Sequence, residues 1–401
     1  MKAKRWVYLV VGTIAMLFAG VIYTWSVLKM PLGQEFGWSN SQLTVNFTLT
    51  MVFFCVGGII GSLISKKLGV TLTVIIAAIL GGGGFVVTSF ALSGTAIAAL
   101  YIFYGIISGI GIGIAYNVLV STINAWFPDK KGLCSGILMM GFGASTLIIG
   151  NVSNSLFGII GWRTTFMILG IAIGVILIIA GLIIRAPKPE EIPAVPQKQA
   201  ANSAAKDYTV KEMVKTSVFW RVFILLVFLT AVGNVVASVA KDMTIGAGGS
   251  DSLATTMVGM FAVCNGLSRI IIGFLFDSLG RRKSMIISSI LAIIASGFCI
   301  LTPITQSLPI CIVALCLSGA TLGTCPTGTA VATRMFFGDK YFPTNLSICS
   351  CNLLVASLIA TLCSVIAEKT GGYLIPFIIL MALSLIGLVI NLTIKDVKKE
   401  K

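Results

Sequence analysis

Residues 273–283 read Gly-Phe-Leu-Phe-Asp-Ser-Leu-Gly-Arg-Arg-Lys and lie between two apolar runs. A related stretch occurs near the start of the chain, where residues 61–69 read Gly-Ser-Leu-Ile-Ser-Lys-Lys-Leu-Gly. Both stretches contain a glycine, the apolar last residues of a run, a polar turn, a second glycine and cations. Such a repeat predicts two related helical bundles arranged around a midplane site.

The composition shows which solvent surrounds the chain. Of its 401 residues 57% are hydrophobic and only 10% are charged, and the mean hydropathy is +1.03. A soluble domain carries about 25% charged residues, so most of this surface must face lipid, where helices satisfy their own backbone groups. Taking ~20 apolar residues as one span, we predict an all-α membrane protein with twelve transmembrane helices. The predicted spans, numbered one to twelve, cover 6–28, 43–64, 70–92, 95–125, 132–159, 163–185, 218–240, 253–276, 284–302, 307–333, 342–367 and 372–394.

One polar stretch interrupts this series. Residues 186–217 contain four prolines followed by Gln, Asn, Ser and Lys, which is typical of a solvated linker. The sequence therefore predicts an N-terminal six-helix bundle (1–185), a cytoplasmic linker (186–217) and a C-terminal six-helix bundle (218–401). The first apolar run is too long for a signal peptide, and we interpret it as a membrane helix.

The distribution of charge predicts the orientation. With the N-terminus inside, the cytoplasmic segments hold 22 of the 28 Lys and Arg and the outer loops hold four. This asymmetry predicts a multi-pass protein of the cell (inner or plasma) membrane with both termini cytoplasmic. Because the loops carry the net charge of +15, we expect no nucleic-acid partner.

Catalytic and metal-binding patterns are missing from the sequence. There is no histidine, and the ten cysteines are scattered without a CxxC motif, so we expect no metal and no cofactor. No nucleophile–base pair stands out, and the chain is not expected to be an enzyme. Glycines recur every four residues in spans two and four, which predicts close helix contacts; they are Gly57, Gly61, Gly105, Gly109 and Gly113.

Arg269 is the exceptional charge. It lies eight residues before Asp277, which is ~12 Å of helix and close to the middle of a ~30 Å hydrocarbon core. A cation there costs at least ~2.5–3.5 kcal/mol on insertion scales, and no Asp or Glu occurs within the predicted spans. We interpret the missing counter-charge as an anionic substrate held by the guanidinium. Snorkelling toward the cytoplasmic interface is the alternative.

Other polar residues in the spans are further candidates for substrate binding. Asn265 lies one turn from Arg269 and on the same face, and unlike an acid it cannot titrate. The amides of spans seven, eight and eleven provide either helix–helix contacts or ligand contacts, and buried polar aromatics of spans one and four need hydrogen-bond partners. The candidate binding residues are Arg269, Tyr23, Trp25, Tyr116, Asn234, Asn265 and Asn352.

Three stretches resemble a known family. Residues 273–283 resemble the loop signature of the major facilitator superfamily, which implies a gating role for Gly273, Asp277, Gly280, Arg281 and Arg282. The stretch Gly-Val-Ile-Tyr-Thr-Trp-Ser-Val at 20–27 and the stretch 116–136 resemble the oxalate/formate antiporter family within that superfamily, and Asn-Gly-x-x-Arg at 265–269 fits it as well. The resemblance implies alternating access around a central anion site. It also implies that Arg269 in span eight binds the carboxylate and that Tyr23 and Tyr116 line the cavity.

The departures from that family narrow the expected substrate. The oxalate carrier has a second cation in span eleven, set among aromatic residues of spans ten and eleven. Here residues 345–354 contain no lysine and residues 317–322 contain no aromatic residue. One buried cation balances one negative charge, which favours a monocarboxylate. Ser65 stands where the first-half loop usually has an aspartate, and Asn265 stands where proton-linked monocarboxylate transporters place one.

These observations predict a secondary transporter of a small organic anion, a monocarboxylate of the formate, lactate or pyruvate type, with antiport or uniport favoured. The alternatives are oxalate or dicarboxylate exchange, proton-linked monocarboxylate symport, and export of drug-like amphiphiles. A proton site at the outer acids Glu35, Asp242, Asp251 and Glu368 would permit the symport. The expected partners are the carboxylate and the lipid bilayer, and the expected state is a monomer.

Overall fold

The computed structural model of this protein describes residues 2–92, 97–191 and 206–394. Within these ranges every regular element is helical. Ten of the described helices are long and apolar enough to cross a membrane. Two of them contain 52 and 53 residues, which at 1.5 Å per residue is more than twice the thickness of a ~30 Å core. Each of these two is therefore a pair of spans, and twelve spans result, as predicted.

The helices follow the predicted order. Span one combines the helices Lys2–Ala19 and Trp25–Phe36, and span four combines Ala98–Leu100, a π-helix Tyr101–Ser108 and Gly109–Ala125. Spans two and three form Asn40–Ala91, and spans five and six form Lys131–Ile183. Spans seven to ten are Ser217–Gly246, Asp251–Leu279, Arg281–Thr305 and Leu308–Phe337. Span eleven is Phe342–Ser350 followed by Asn352–Thr370, and span twelve is Leu374–Thr393.

Glycines form the tight turns between paired spans. Gly69 follows span two with φ 77° and ψ 175°, and Gly280 follows span eight with φ 79° and ψ 171°. Gly161 separates spans five and six with φ 75° and ψ 166°. This backbone region is essentially restricted to glycine. Gly69 and Gly280 are the second glycines of the two stretches whose similarity indicates an internal repeat, so the repeat extends to the backbone conformation.

Span one is longer than predicted. The helix continues past Lys29 and Pro31 to Phe36 and ends where Gly37 adopts φ 66° and donates its N–H to Gly33 O. A left-handed glycine is a common helix terminator. The apolar run ends before Lys29, so the sequence predicts an end at 28, whereas the helix ends at its cap eight residues later.

The chain divides into two compact units. The first comprises Met1–Asp129 and Ile137–Val195, and the second comprises Lys130–Gly136 and Pro196–Lys401. The first turn of span five is thus grouped with the second unit. Residues 192–205 of the predicted linker lie outside the described residues, and the predicted domain boundaries stay a prediction.

Close helix contacts at glycines hold the first unit together. A Cβ added at Gly113 would lie 2.0 Å from Phe54 O, and one added at Gly57 would lie 2.2 Å from Ile110 O. Gly61, Gly105 and Gly109 make similar contacts between spans two and four. The prediction that these glycines serve helix packing is confirmed.

Candidate functional site

Arg269 is buried in the second unit, with 6% of its surface exposed. Its Nε donates to Asn265 Oδ1 at 3.1 Å, because an i, i+4 pair shares one helix face. Its backbone carbonyl accepts a hydrogen bond from Thr327 Oγ1 of span ten at 3.3 Å. The guanidinium therefore has an uncharged amide as its neighbour on its own helix, and the helix backbone at this residue is bonded to span ten.

Spans eight and ten are in close contact at this level. A Cβ added at Gly319 would lie 2.5 Å from Phe261 O, and one added at Gly323 would lie 2.1 Å from Asn265 O. One further turn along both helices, Thr327 bonds to Arg269. The contacts recur every four residues on each helix, which is the spacing of one face. The small residues of span ten thus fix the position of the Asn265–Arg269 pair relative to span ten, along the helix axis.

Substituting Gly323 tests this contact. Gly323→Ala should lower the melting temperature by several degrees and reduce transport about tenfold or more, because overpacking a tight contact costs ~1–3 kcal/mol and span eight must shift beside Asn265. Gly259→Ala, on span eight, is the matched control, since a Cβ there meets nothing within 4 Å and alanine favours helix. Thermal denaturation and uptake of both variants check this. Equal behaviour of the two would contradict the contact's importance.

Two asparagines predicted as candidates occupy different settings. Asn352 is fully buried, and its Nδ2 donates to Thr329 Oγ1 at 2.9 Å, so in this structure it joins spans ten and eleven. Its position follows an interruption of span eleven at Cys351. Asn234 is half-buried on span seven, beside Gly233, which packs against Leu322 of span ten. Asn352 thus makes the helix–helix contact that was one of its two predicted roles.

Asp277 bonds to the first turn of span five. Its two carboxylate oxygens accept the backbone N–H groups of Gly132 at 2.9 Å and Leu133 at 2.8 Å. Free N–H groups and the positive end of the helix dipole make this a favourable place for a carboxylate. Gly132 and Gly273 allow the approach, since a Cβ at either one would lie 2.1–2.3 Å from the other's carbonyl oxygen. The loop motif therefore ties the end of span eight to the start of span five.

The cations of the loop motif differ in environment. Arg281 is buried, and its guanidinium lies 4.0 Å from the ring centroid of Phe336, a cation–π distance. Arg282 is exposed. The two arginines are adjacent in sequence, yet only Arg281 packs against span ten.

In the first unit an aromatic cluster gathers the two predicted tyrosines. Tyr23 and Tyr116 both make edge contacts with Phe142, at 5.4 and 5.1 Å between ring centroids, and Phe54 lies 5.1 Å from Tyr116. Gly20 permits the close approach of span one to Phe142, because a Cβ at position 20 would clash with Phe142 O. Span one becomes a 3₁₀ helix at this point, Gly20–Thr24. The phenol of Tyr116 donates to Met139 Sδ at 3.3 Å.

Trp25 lies away from that cluster. It is buried, its indole N–H donates to Leu43 O at 2.9 Å, and its ring lies 4.7 Å from that of Tyr104. Its polar atom is thus used to hold span one to the start of span two. Sequence reasoning had grouped Trp25 with Tyr23, but residues two apart on a helix do not share a face.

Several residues of these sites were not identified from the sequence. Phe54 and Phe142 read as ordinary apolar residues, and only the glycine at 20 hinted that span one is approached closely. Thr327 belongs to a threonine-rich stretch of span ten that also contains Thr321, Thr324, Thr329 and Thr333. A run of hydroxyls in a membrane helix was the available signal.

Comparison with known proteins agrees with this architecture. Residues 9–246 and 225–401 match the family model of the Major Facilitator Superfamily. The chain is 28% identical over 285 residues to the oxalate:formate antiporter of Oxalobacter formigenes, a match covering 70% of this chain and 66% of that protein. It is 23% identical over 346 residues to mouse (Mus musculus) monocarboxylate transporter 12, covering 80% of this chain and 70% of that protein.

A solved structure shares the fold. The proton:xylose symporter XylE superposes with a TM-score of 0.76 over 97% of this chain and 95% of that chain, at 16% sequence identity. This likeness concerns the fold alone. Together with the family match and the twelve spans, it shows that the chain belongs to the major facilitator superfamily and is a multi-pass membrane transporter, not an enzyme.

Proposed function

We propose that this transporter carries a small monocarboxylate, of the formate, lactate or pyruvate type, by exchange or uniport. The proposal rests on Arg269, a buried cation of span eight whose partner on the same helix face is the neutral amide of Asn265. A guanidinium binds a carboxylate through two parallel hydrogen bonds. The relatives named for oxalate:formate antiport and for monocarboxylate transport support a carboxylate as cargo.

The neutral neighbour of Arg269 bears on energy coupling. Proton-coupled carriers relay protons through acids or histidines within the membrane, and this chain has no histidine. Of the acids near the predicted outer side, Glu35 accepts hydrogen bonds from the Trp162 indole and from Arg163, one to each carboxylate oxygen. Both carboxylate oxygens of Glu35 are therefore already bonded within the first unit. Exchange without protons is therefore our proposal.

Counterflow in proteoliposomes tests substrate and coupling together. Vesicles loaded with unlabelled formate or lactate should accumulate the labelled anion in the presence of a proton ionophore, because one anion replaces another at Arg269. Oxalate should compete at least about tenfold more weakly, since Asn265, the neighbour of Arg269 on span eight, carries no charge to balance the second carboxylate and desolvating that carboxylate is costly.

Two outcomes would overturn the proposal. Uptake that occurs only with an imposed pH gradient would indicate proton symport. Competition by lipophilic cations but not by carboxylates would indicate an exporter of amphiphiles. Protein-free vesicles and an Arg269→Gln sample provide the background.

A further inference from the structure

The segment before span seven, Lys206–Met213, forms a small ordered element that we call the hook. Its helix Val210–Met213 begins with a capping box, in which Thr209 and Glu212 bond to each other's backbone N–H groups. The backbone N–H and hydroxyl of Thr209, with Lys206, lower the pKa of Glu212 to about 2. Met213 at the end of the hook is fully buried in the core of the second unit. Met213 thus anchors the end of the hook in the core, and the capping box stabilises the start of its helix.

The hook bonds to the turn between spans ten and eleven. Asp207 Oδ1 accepts the backbone N–H of Lys340 at 3.1 Å, and the Tyr208 N–H donates to Phe337 O at 2.9 Å. Asn345, which is fully buried, donates its Nδ2 to Tyr208 O at 2.9 Å. Three hydrogen bonds therefore join the hook to the turn and to the helix on each side of it.

A glycine makes this docking possible. Gly338 has φ 86°, and a Cβ at this position would lie 2.1 Å from Asp207 Oδ1. Both the backbone conformation and the space exclude any side chain there. The sequence of the turn is thus adapted to receive the Asp207 carboxylate.

The turn carries a carboxylate that joins two cations. Asp339 lies 2.8 Å from Arg334 Nε and 2.9 Å from Lys131 Nζ. Partial burial alone would raise the pKa of Asp339, but Arg334 and Lys131 outweigh it and hold the pKa below its ordinary value. Arg334 is buried with its guanidinium 4.0 Å from the centroid of the Phe342 ring. Because Lys131 lies in the first turn of span five, Asp339 links that turn to the end of span ten.

We propose that the hook is a strap that positions Asp339, so that the end of the linker controls how firmly the first turn of span five is held. Asp207 is then a positioning residue that acts through the turn at 338–341. Lys131 of span five pairs with Asp339, so release of the first turn of span five from the turn at 338–341 breaks this ion pair. A tighter strap makes that step slower, whichever substrate is carried, so this inference does not depend on the proposed cargo.

A native thiol reports on the strap. Cys134 lies in the first turn of span five, is buried, and interacts electrostatically with Arg334. In purified full-length protein, Asp207→Ala should raise the rate of maleimide labelling at Cys134 about fivefold, the change produced by losing a hydrogen bond worth ~1 kcal/mol. Labelling is read by mass spectrometry. Cys299, fully buried in span nine, is the internal control and should stay unlabelled.

Two further variants separate positioning from general damage. Asp207→Asn should behave like the wild type, because an amide oxygen accepts the Lys340 N–H equally well. Asp339→Asn should raise Cys134 labelling, and adding Asp207→Ala to it should raise it no further, since both act on the same ion pairs. If Asp207→Ala does not yield folded protein, Asp207→Ser replaces it, because its shorter polar side chain withdraws the acceptor oxygen from the Lys340 N–H.

Three results would overturn the inference. They are unchanged Cys134 labelling in Asp207→Ala, equal increases at Cys134 and Cys299, and additive effects of Asp207→Ala and Asp339→Asn.

Discussion

Replacing Arg269 by glutamine should abolish carboxylate counterflow, with substrate affinity falling at least about 100-fold. Two charge-assisted hydrogen bonds to one anion are worth ~1.5–3 kcal/mol each, and every 1.4 kcal/mol is tenfold in affinity. Glutamine is shorter than arginine and keeps a polar amide, but it removes the positive charge. Counterflow in proteoliposomes and a thermal-shift titration with formate or lactate measure the two effects.

The fate of the variant protein distinguishes lost binding from misfolding. Arg269→Gln should be recovered at no lower yield than the wild type, because it removes a membrane charge that costs at least ~2.5 kcal/mol to insert. Arg221→Gln is the matched control. Arg221 belongs to the same unit but is exposed at the start of span seven, where it donates to Thr393 O. Normal transport by Arg269→Gln would refute the role of Arg269 as the counter-ion.

Replacing Asn265 by aspartate should convert the transporter toward proton dependence. A carboxylate at the Asn265 Oδ1 position, 3.1 Å from Arg269 Nε, would form an internal ion pair and neutralise the cation that the anion needs. Exchange at neutral pH should fall about tenfold or more, corresponding to ~1.4 kcal/mol. Uptake should then rise when an inward proton gradient protonates the new acid and releases the guanidinium.

Asn265→Leu separates charge from orientation. It removes the hydrogen bond to Arg269 without adding a titratable group, so it should weaken exchange without creating any response to a proton gradient. The measurement is initial uptake at matched internal pH with and without an imposed gradient. Proton-independent exchange at the wild-type rate in Asn265→Asp would show that Asn265 does not govern coupling.

The fold was largely predictable because a single local stretch of apolar sequence is enough to identify a membrane helix. Apolar length identifies each span, and a repeated glycine loop relates the halves, as the shared backbone conformation of Gly69 and Gly280 shows. What sequence reasoning missed was the true end of span one and the irregular stretches Gly20–Thr24 and Tyr101–Ser108. Such local changes of helix type depend on packing against neighbouring helices, which a linear apolar pattern does not contain.

Site residues were predictable only where placing the side chain in a membrane span costs free energy whatever its neighbours are. Arg269 attracts notice because a charge in a span demands compensation, whatever the fold. Thr327 and Asp207 do not, because their roles arise from partners 58 and 133 residues away in the chain. Trp25 illustrates the converse, since it is a sequence candidate for substrate binding and its indole N–H donates to Leu43 O.

The contact between spans eight and ten also has a consequence during synthesis. Thr327 leaves the ribosome 58 residues after Arg269, so span eight reaches the translocon before the helix that receives it exists. Span eight is the least apolar of the ten long helices described, and its arginine further weakens its partition into lipid. Its integration should therefore rely on neighbouring spans held near the translocon, and truncated chains that end before span ten should leave span eight incompletely integrated.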